Sequence, residues 1–179
     1  ADNAVCLYLK QDGDDAHIEF AGAGSGGIKF KASATDSSDA NTLDDYEEGT
    51  WVGTFTDAGG DAATMHASYR NGYYTKIGNL VHISGYFQCS ALVNAAGSIH
   101  LAGLPFTCVN NTAGYSGISI GQFGGGDVTA GHNITARNVI GTTNLYLRLS
   151  DTASGGSDLN ETELTADGEI IIGGSYRVA

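Results

Sequence analysis

The chain has 179 residues, of which 41% are hydrophobic and 16% charged. That is room for one domain of ordinary size with an appendage, and enough apolar material to bury a core, which excludes a disordered tail. Eight Lys and Arg stand against 20 Asp and Glu, for a formal charge of −12 that repels a phosphate backbone and argues against nucleic acid as a partner. No stretch approaches about 20 apolar residues and no basic-then-apolar leader opens the chain, so neither membrane insertion nor signal-directed secretion is expected.

In chain order, residues 5–31 hold three short alternating pieces. Each carries two apolar residues two apart, which places each pair on one face of a strand: Leu7 with Leu9, Ile18 with Phe20, and Ile28 with Phe30. A lone ribbon of such strands leaves a face wet, whereas several chains together can cover it. Leu7, Leu9, Ile18, Phe20, Ile28 and Phe30 are therefore read as the seam of a homotrimer. Residues 32–45 are rich in Ser, Ala, Asp and Thr without periodicity, the composition of a connector. The predicted boundary divides a β-stranded shaft or attachment segment with its connector, 1–41, from a head, 42–179.

Beyond the connector, β-like runs are predicted at Thr50 to Phe55, Tyr73 to Ile77, Leu80 to Cys89, Ser98 to Leu101, Gly114 to Gln122, Asn138 to Ile140, Leu145 to Leu149 and Glu169 to Val178. The runs from Leu80 to Phe87 and from Asn144 to Leu149 alternate best. No window longer than about ten residues carries a helical apolar stripe. With 27 glycines and one proline, this predicts an all-β protein, a jelly-roll-like antiparallel sandwich with many tight turns. Three cysteines, Cys6, Cys89 and Cys108, make neither a disulfide framework nor a zinc site. No metal or cofactor is expected, and assembly in a reducing cytoplasm is.

Four strings are more specific than composition. Thr42-Leu43-Asp44-Asp45-Tyr46-Glu47-Glu48-Gly49-Thr50-Trp51, Gly72-Tyr73-Tyr74-Thr75-Lys76-Ile77-Gly78-Asn79-Leu80-Val81, Gly103-Leu104-Pro105-Phe106 and Gly174-Ser175-Tyr176-Arg177 occur in that order. Together they resemble the C-terminal head domain of tail fibre, spike and related virion proteins of tailed bacteriophages. The resemblance covers roughly residues 42–179. One departure is that the family's Trp-Thr-Pro stands here as Trp51-Val52-Gly53, which falls on a local turn. The resemblance implies a trimeric virion appendage assembled in the host bacterial cytoplasm, often in contact with a receptor and without a cofactor.

Enzyme-like motifs have plainer readings. Gly117-Ile118-Ser119-Ile120-Gly121 matches G-x-S-x-G, but a nucleophile elbow needs a helix after the serine, and Gln122-Phe123-Gly124-Gly125-Gly126-Asp127 reads as loop. Gly22-Ala23-Gly24-Ser25-Gly26-Gly27 matches G-x-G-x-x-G and is followed by a strand-like run instead of the helix that would hold an anion. Two acidic groups, one of Asp12, Asp14 and Asp15 and one of Asp44, Asp45, Glu47 and Glu48, read as solvated loops, and the first does not fit the twelve-residue calcium loop. Trp51, Tyr73, Tyr74, Phe87 and Phe106 are expected in core or seam.

Tyr115 and Phe123 lie near a glycine-rich stretch, Gly124 to Gly131. Aromatics beside a glycine-rich loop carrying an acid can stack on sugar rings and accept hydroxyl hydrogen bonds. Tyr115, Phe123, Asp127 and His132 are therefore the candidate receptor-binding residues, with a host cell-surface glycan as ligand class and no catalytic residue. The leading expectation is a non-enzymatic trimeric tail fibre or spike tip joined to other virion proteins. A trimeric capsid decoration, cement or head-fibre protein is the alternative, and a small polysaccharide hydrolase stands behind both. A longer parent chain upstream of Ala1 favours the first, and a stand-alone gene the second.

Overall fold

A computed structural model describes residues 43, 45–92, 96–153 and 155–178. The residues expected to form the trimer seam, Leu7, Leu9, Ile18, Phe20, Ile28 and Phe30, lie outside the described residues, as do the connector up to residue 42 and the boundary at residues 41–42. The strands are β1 (Tyr46–Val52), β2 (Thr54–Asp57), β3 (Thr64–Ile77), β4 (Leu80–Ala91), β5 (Ile99–Ala102), β6 (Gly117–Gly126), β7 (Asn133–Asn138), β8 (Asn144–Asp151), β9 (Gly155–Asp158) and β10 (Leu164–Arg177). The helical segments among the described residues are single 3-10 turns, Thr112–Gly114 and Glu161–Glu163.

All strands pair antiparallel in one sheet of order β1-β3-β4-β10-β6-β7-β8-β5-β2, with β9 added beside β8. The two ends of that path, β1 and β2, are neighbours in sequence, separated by Gly53 alone. The sheet thus rolls over and nearly closes, and the expected all-β antiparallel architecture is the one observed. Gly53 is buried at the crossing, its N–H donating to the Arg70 carbonyl at 3.0 Å. A Cβ there would sit 2.5 Å from the Phe87 ring and 3.0 Å from Leu101.

Period-two patterning fills the interior. Val81, Ile83 and Phe87 of β4, Leu145, Leu147 and Leu149 of β8, and Ile170, Ile172 and Tyr176 of β10 all point into one core with Phe55, Ile99 and Leu101. Trp51 packs on Phe87 with ring centroids 4.7 Å apart. Cys89 and Cys108 are free and buried, and burial pushes both thiols above their ordinary pKa.

The four strings that carry the family resemblance meet in space. The Tyr176 hydroxyl donates to the Phe106 carbonyl at 3.1 Å and accepts from the Phe106 N–H at 3.2 Å. Tyr74 meets the Phe106 ring edge-on at 5.2 Å. Lys76 lies 5.7 Å from the same ring and pairs with Asp45. These contacts tie β1, β3, β10 and the turn after β5 into one end of the fold.

Several local expectations are corrected. The run predicted from Thr50 to Phe55 splits at Gly53, because the chain changes sheet edge there. The strand expected at Asn138 to Ile140 is instead Asn133–Asn138, whose inward row is Ile134, Ala136 and the wholly buried Asn138, short and only weakly apolar. Gly124 to Gly126, read as loop, continues β6, with Gly124 opposite Glu169 and Gly126 opposite Leu164, since backbone pairing needs no side chain. Of the aromatics expected in core or seam, Trp51 and Phe87 are in the core, and Tyr73 is largely exposed, which leaves the core half of that expectation unmet for it.

One buried carboxylate organises a loop. Asp57 accepts hydrogen bonds from the N–H groups of Asp61 at 2.8 Å and Ala96 at 3.0 Å. The Ala96 N–H foremost, joined by those of Asp61, Gly59 and Gly60, holds its carboxyl below the ordinary value in spite of burial.

Two outcomes are expected. Gly53→Ala should cost about 1–3 kcal/mol of folding stability in urea titration, because the new methyl overpacks the core at the sheet crossing. For Asp57, a folded-state pKa below the unfolded value means that its stabilisation is present above the ordinary carboxylate pKa and is lost as pH falls through the folded value. Asp57→Asn should accordingly lower the melting temperature at neutral pH and flatten its acid dependence.

Candidate functional site

Strands β6 and β7 pair only at Gly117 with Arg137 and at Ile118 with Ala136. Past Ile118 the two separate, and the chain from Asp127 to His132 bridges the gap. The resulting cleft, about 300 Å³, is lined by Phe123 and Gln122 of β6, Val128 and His132 of the bridge, and Ile134 of β7, among others. That volume lies at the small end of the range for ligand clefts.

Local sequence explains each wall. Phe123 is half-buried against the core, and Gly126 makes room for its ring, since a Cβ at 126 would fall 2.1 Å from it. His132 is fixed from both sides, with Nδ1 3.1 Å from the Thr129 carbonyl and Nε2 3.0 Å from the Asp151 carboxylate. Gln122 donates to Glu169 at 2.5 Å, and Glu169 also accepts from the Tyr86 hydroxyl. That carboxylate pushes the Tyr86 phenol up to about 12.

Of the four residues singled out in the sequence, the cleft unites Phe123 and His132. Asp127 is exposed beside it, its N–H donating to the Glu163 carbonyl at 3.0 Å, and is not part of the lining. Tyr115 stands eight residues before Phe123, and an extended strand separates the two by about 26 Å. It belongs to another cluster, in which the Arg137 guanidinium lies 5.0 Å from the Tyr115 ring and 4.9 Å from Tyr146, which stacks on His100 at 4.2 Å. Burial keeps the His100 imidazole below its ordinary pKa, against the pull of Asp158 and Asp57. Sequence reasoning missed Val128, Ile134, Arg137 and Tyr146. Alternation in β8 could have found Tyr146, because it faces away from the buried Leu145 and Leu147.

Ser119 lies exposed within β6 opposite Gly173, and β6 runs on to Gly126 with no helix after it. The strained turn that a nucleophile elbow requires is thus absent at this serine. Among the described residues no three His, Cys, Asp or Glu side chains converge as metal ligands, and no helix is long and apolar enough to cross a membrane.

The architecture defines a class, an antiparallel β-sandwich rolled nearly closed from a single sheet. Among solved structures it is similar to the Dettilon tailspike protein, with a TM-score of 0.63 and 15% identity over 74% of this chain. The match spans 24% of that longer chain, and at this identity it speaks to fold. No family model and no curated protein matches the sequence.

Ser119→Ala should leave folding stability within about 1 kcal/mol of the parent in urea titration, the usual range for one hydroxyl hydrogen bond.

Proposed function

We propose that this chain is a non-enzymatic structural part of a bacteriophage tail, the tip of a homotrimeric fibre or spike whose head meets the host surface. The observation that carries the reading is the fold likeness to a tailspike protein at a TM-score of 0.63. The four strings that resemble phage virion heads support it, because they converge on one packed end of the fold around Phe106 and Tyr176. In this reading the chain resides in the virion, with other virion proteins as neighbours. Its copies are joined in part through the upstream pairs, Leu7 with Leu9, Ile18 with Phe20, and Ile28 with Phe30.

The cleft between β6 and β7 is the surface we assign to the host ligand. A half-buried aromatic wall, Phe123, beside the polar groups of Gln122 and Asn133 and the His132 ring held at the rim suits a sugar ring, whose C–H face stacks while its hydroxyls hydrogen-bond. The small volume favours a terminal sugar of a cell-surface glycan over a long chain. Ser119, exposed on a regular strand, supports binding without hydrolysis.

The test compares adsorption of purified wild-type protein, Phe123→Ala and Tyr115→Ala to host cells. Phe123→Ala should weaken binding by about 1–3 kcal/mol, roughly 5- to 150-fold in Kd, as for a lost stacking platform. Tyr115→Ala, at the far end of β6, should change it little. Equal binding by all three overturns the cleft, and absence of the chain from purified particles overturns the virion reading.

A further inference from the structure

We propose that the outward face of β1, β3, β4 and β10 is where another copy of this chain docks; the proposal rests on the reading of the protein as a multi-copy appendage and names the surface that joins the copies.

Strand register puts an apolar set together on that face. Tyr46 lies opposite Ile77, which lies opposite Leu80; Thr50 lies opposite Tyr73; and Val52, Asn71, Tyr86 and Ile171 form one row across four strands. Residues directly opposite in a ladder share a face, as do residues two apart along a strand. Tyr73 is 72% exposed, Val52 51%, Ile77 46%, Leu80 44%, Tyr46 42% and Ile171 40%. Six of the nine large hydrophobic side chains exposed among the described residues therefore look out from one surface. Apolar exposure concentrated in this way marks an interaction site rather than ordinary surface scatter.

Charge selects a second copy as the occupant. The chain carries −12, so two copies repel wherever acidic surfaces meet. On this face the ionised side chains are Glu48, Glu169 and Arg177, of which Glu48 accepts from the Tyr46 hydroxyl at 2.7 Å, Glu169 accepts from the Tyr86 hydroxyl, and Arg177 donates to Asn79 at 2.5 Å. Both acids already hold a phenol and lie at the margins of the face, so its apolar middle lets like chains approach with little acid on acid.

Chain path points the same way. Residues 1–42 precede Leu43 and Tyr46, and Tyr46 is a corner of the face. The apolar residues Leu7, Leu9, Ile18, Phe20, Ile28 and Phe30 belong to that upstream stretch, so copies associating through it would hold these faces within reach of one another. Since β3, β4 and β10 are paired on both edges, the contact across them is face to face, with β1, paired on β3 alone, at its margin.

The experiment is sedimentation of the full chain at micromolar concentration, for wild type, the double variant Tyr73→Glu with Leu80→Glu, and Thr162→Glu as a charge control at an exposed site away from the face. Wild type and the control should sediment well above the 18.4 kDa monomer. Two buried acids facing each other should weaken the double variant's association by on the order of a hundredfold or more while circular dichroism stays that of a folded β protein. Maleimide labelling of Tyr73→Cys and Thr162→Cys, read by mass spectrometry, decides the case if the double variant fails to fold, because position 73 should be protected and position 162 not. An assembly in which the double variant persists, or position 73 labels freely, overturns this face and leaves the appendage reading standing. A monomeric wild-type chain overturns it as well, and recovery of the chain from purified particles reports on the appendage reading independently.

Discussion

Gly53 sits between the two strands that form opposite ends of the sheet, and the rest of the molecule depends on its being able to lie against the Phe87 ring. A sheet of ten strands laid open would end in two unpaired edges, each a template for unwanted association. Here both edge strands belong to one continuous run of chain, so the sheet is drawn round on itself and its inner face becomes a single core. Where the rolled ladder lapses, between β6 and β7, it leaves the opening that Phe123 and His132 line. The cleft is thus a gap in pairing, with β6 and β7 on two sides and the bridge from Asp127 to His132 across it.

The packing of the motif strings changes how they should be understood. Strings such as Gly103-Leu104-Pro105-Phe106 and Gly174-Ser175-Tyr176-Arg177 invite interpretation as binding signatures, yet Tyr176 is wholly buried and commits its hydroxyl to both backbone groups of Phe106. A buried phenol with donor and acceptor both satisfied is a fastener between a strand and a distant turn. The buried side chains of the strings tie the fold together; the cleft lies outside the strings, whereas Tyr46, Tyr73, Ile77 and Leu80 belong to the first two and look outward.

Much of the sheet could be read from the chain because burial on one side writes a period of two into the sequence, as at Val81 and Ile83 or at Leu145, Leu147 and Leu149. The sequence was silent where the side chains do not alternate. Gly124 and Gly126 have none to pattern, and the inward row of β7 ends on the polar Asn138 after Ile134 and the small Ala136, so both stretches hid their pairing. Grouping Tyr115 with Phe123 failed for a related reason. Nearness in sequence is distance in space along an extended strand, and only the bridge back from Asp127 to His132 brings a second wall to Phe123. Phe123 and His132, both picked out beside the glycine-rich stretch, do line one cleft, although Phe123 lies within β6 and not in a loop.

The strand β10 occupies the middle of the sheet, hydrogen-bonded to β4 on one side and β6 on the other, although every other strand precedes it in the chain. Its placement sets a timetable for folding. Until residues 164–177 have been synthesised, β4 and β6 have no neighbour between them and the core lacks Ile170, Ile172 and Tyr176. The described sheet therefore cannot close while β10 is still in the ribosome, and long-range pairing of this kind is slow even afterwards. The same connectivity makes closure of the core a single late event, in which β4 and β6 gain their shared neighbour and the interior its last large side chains together.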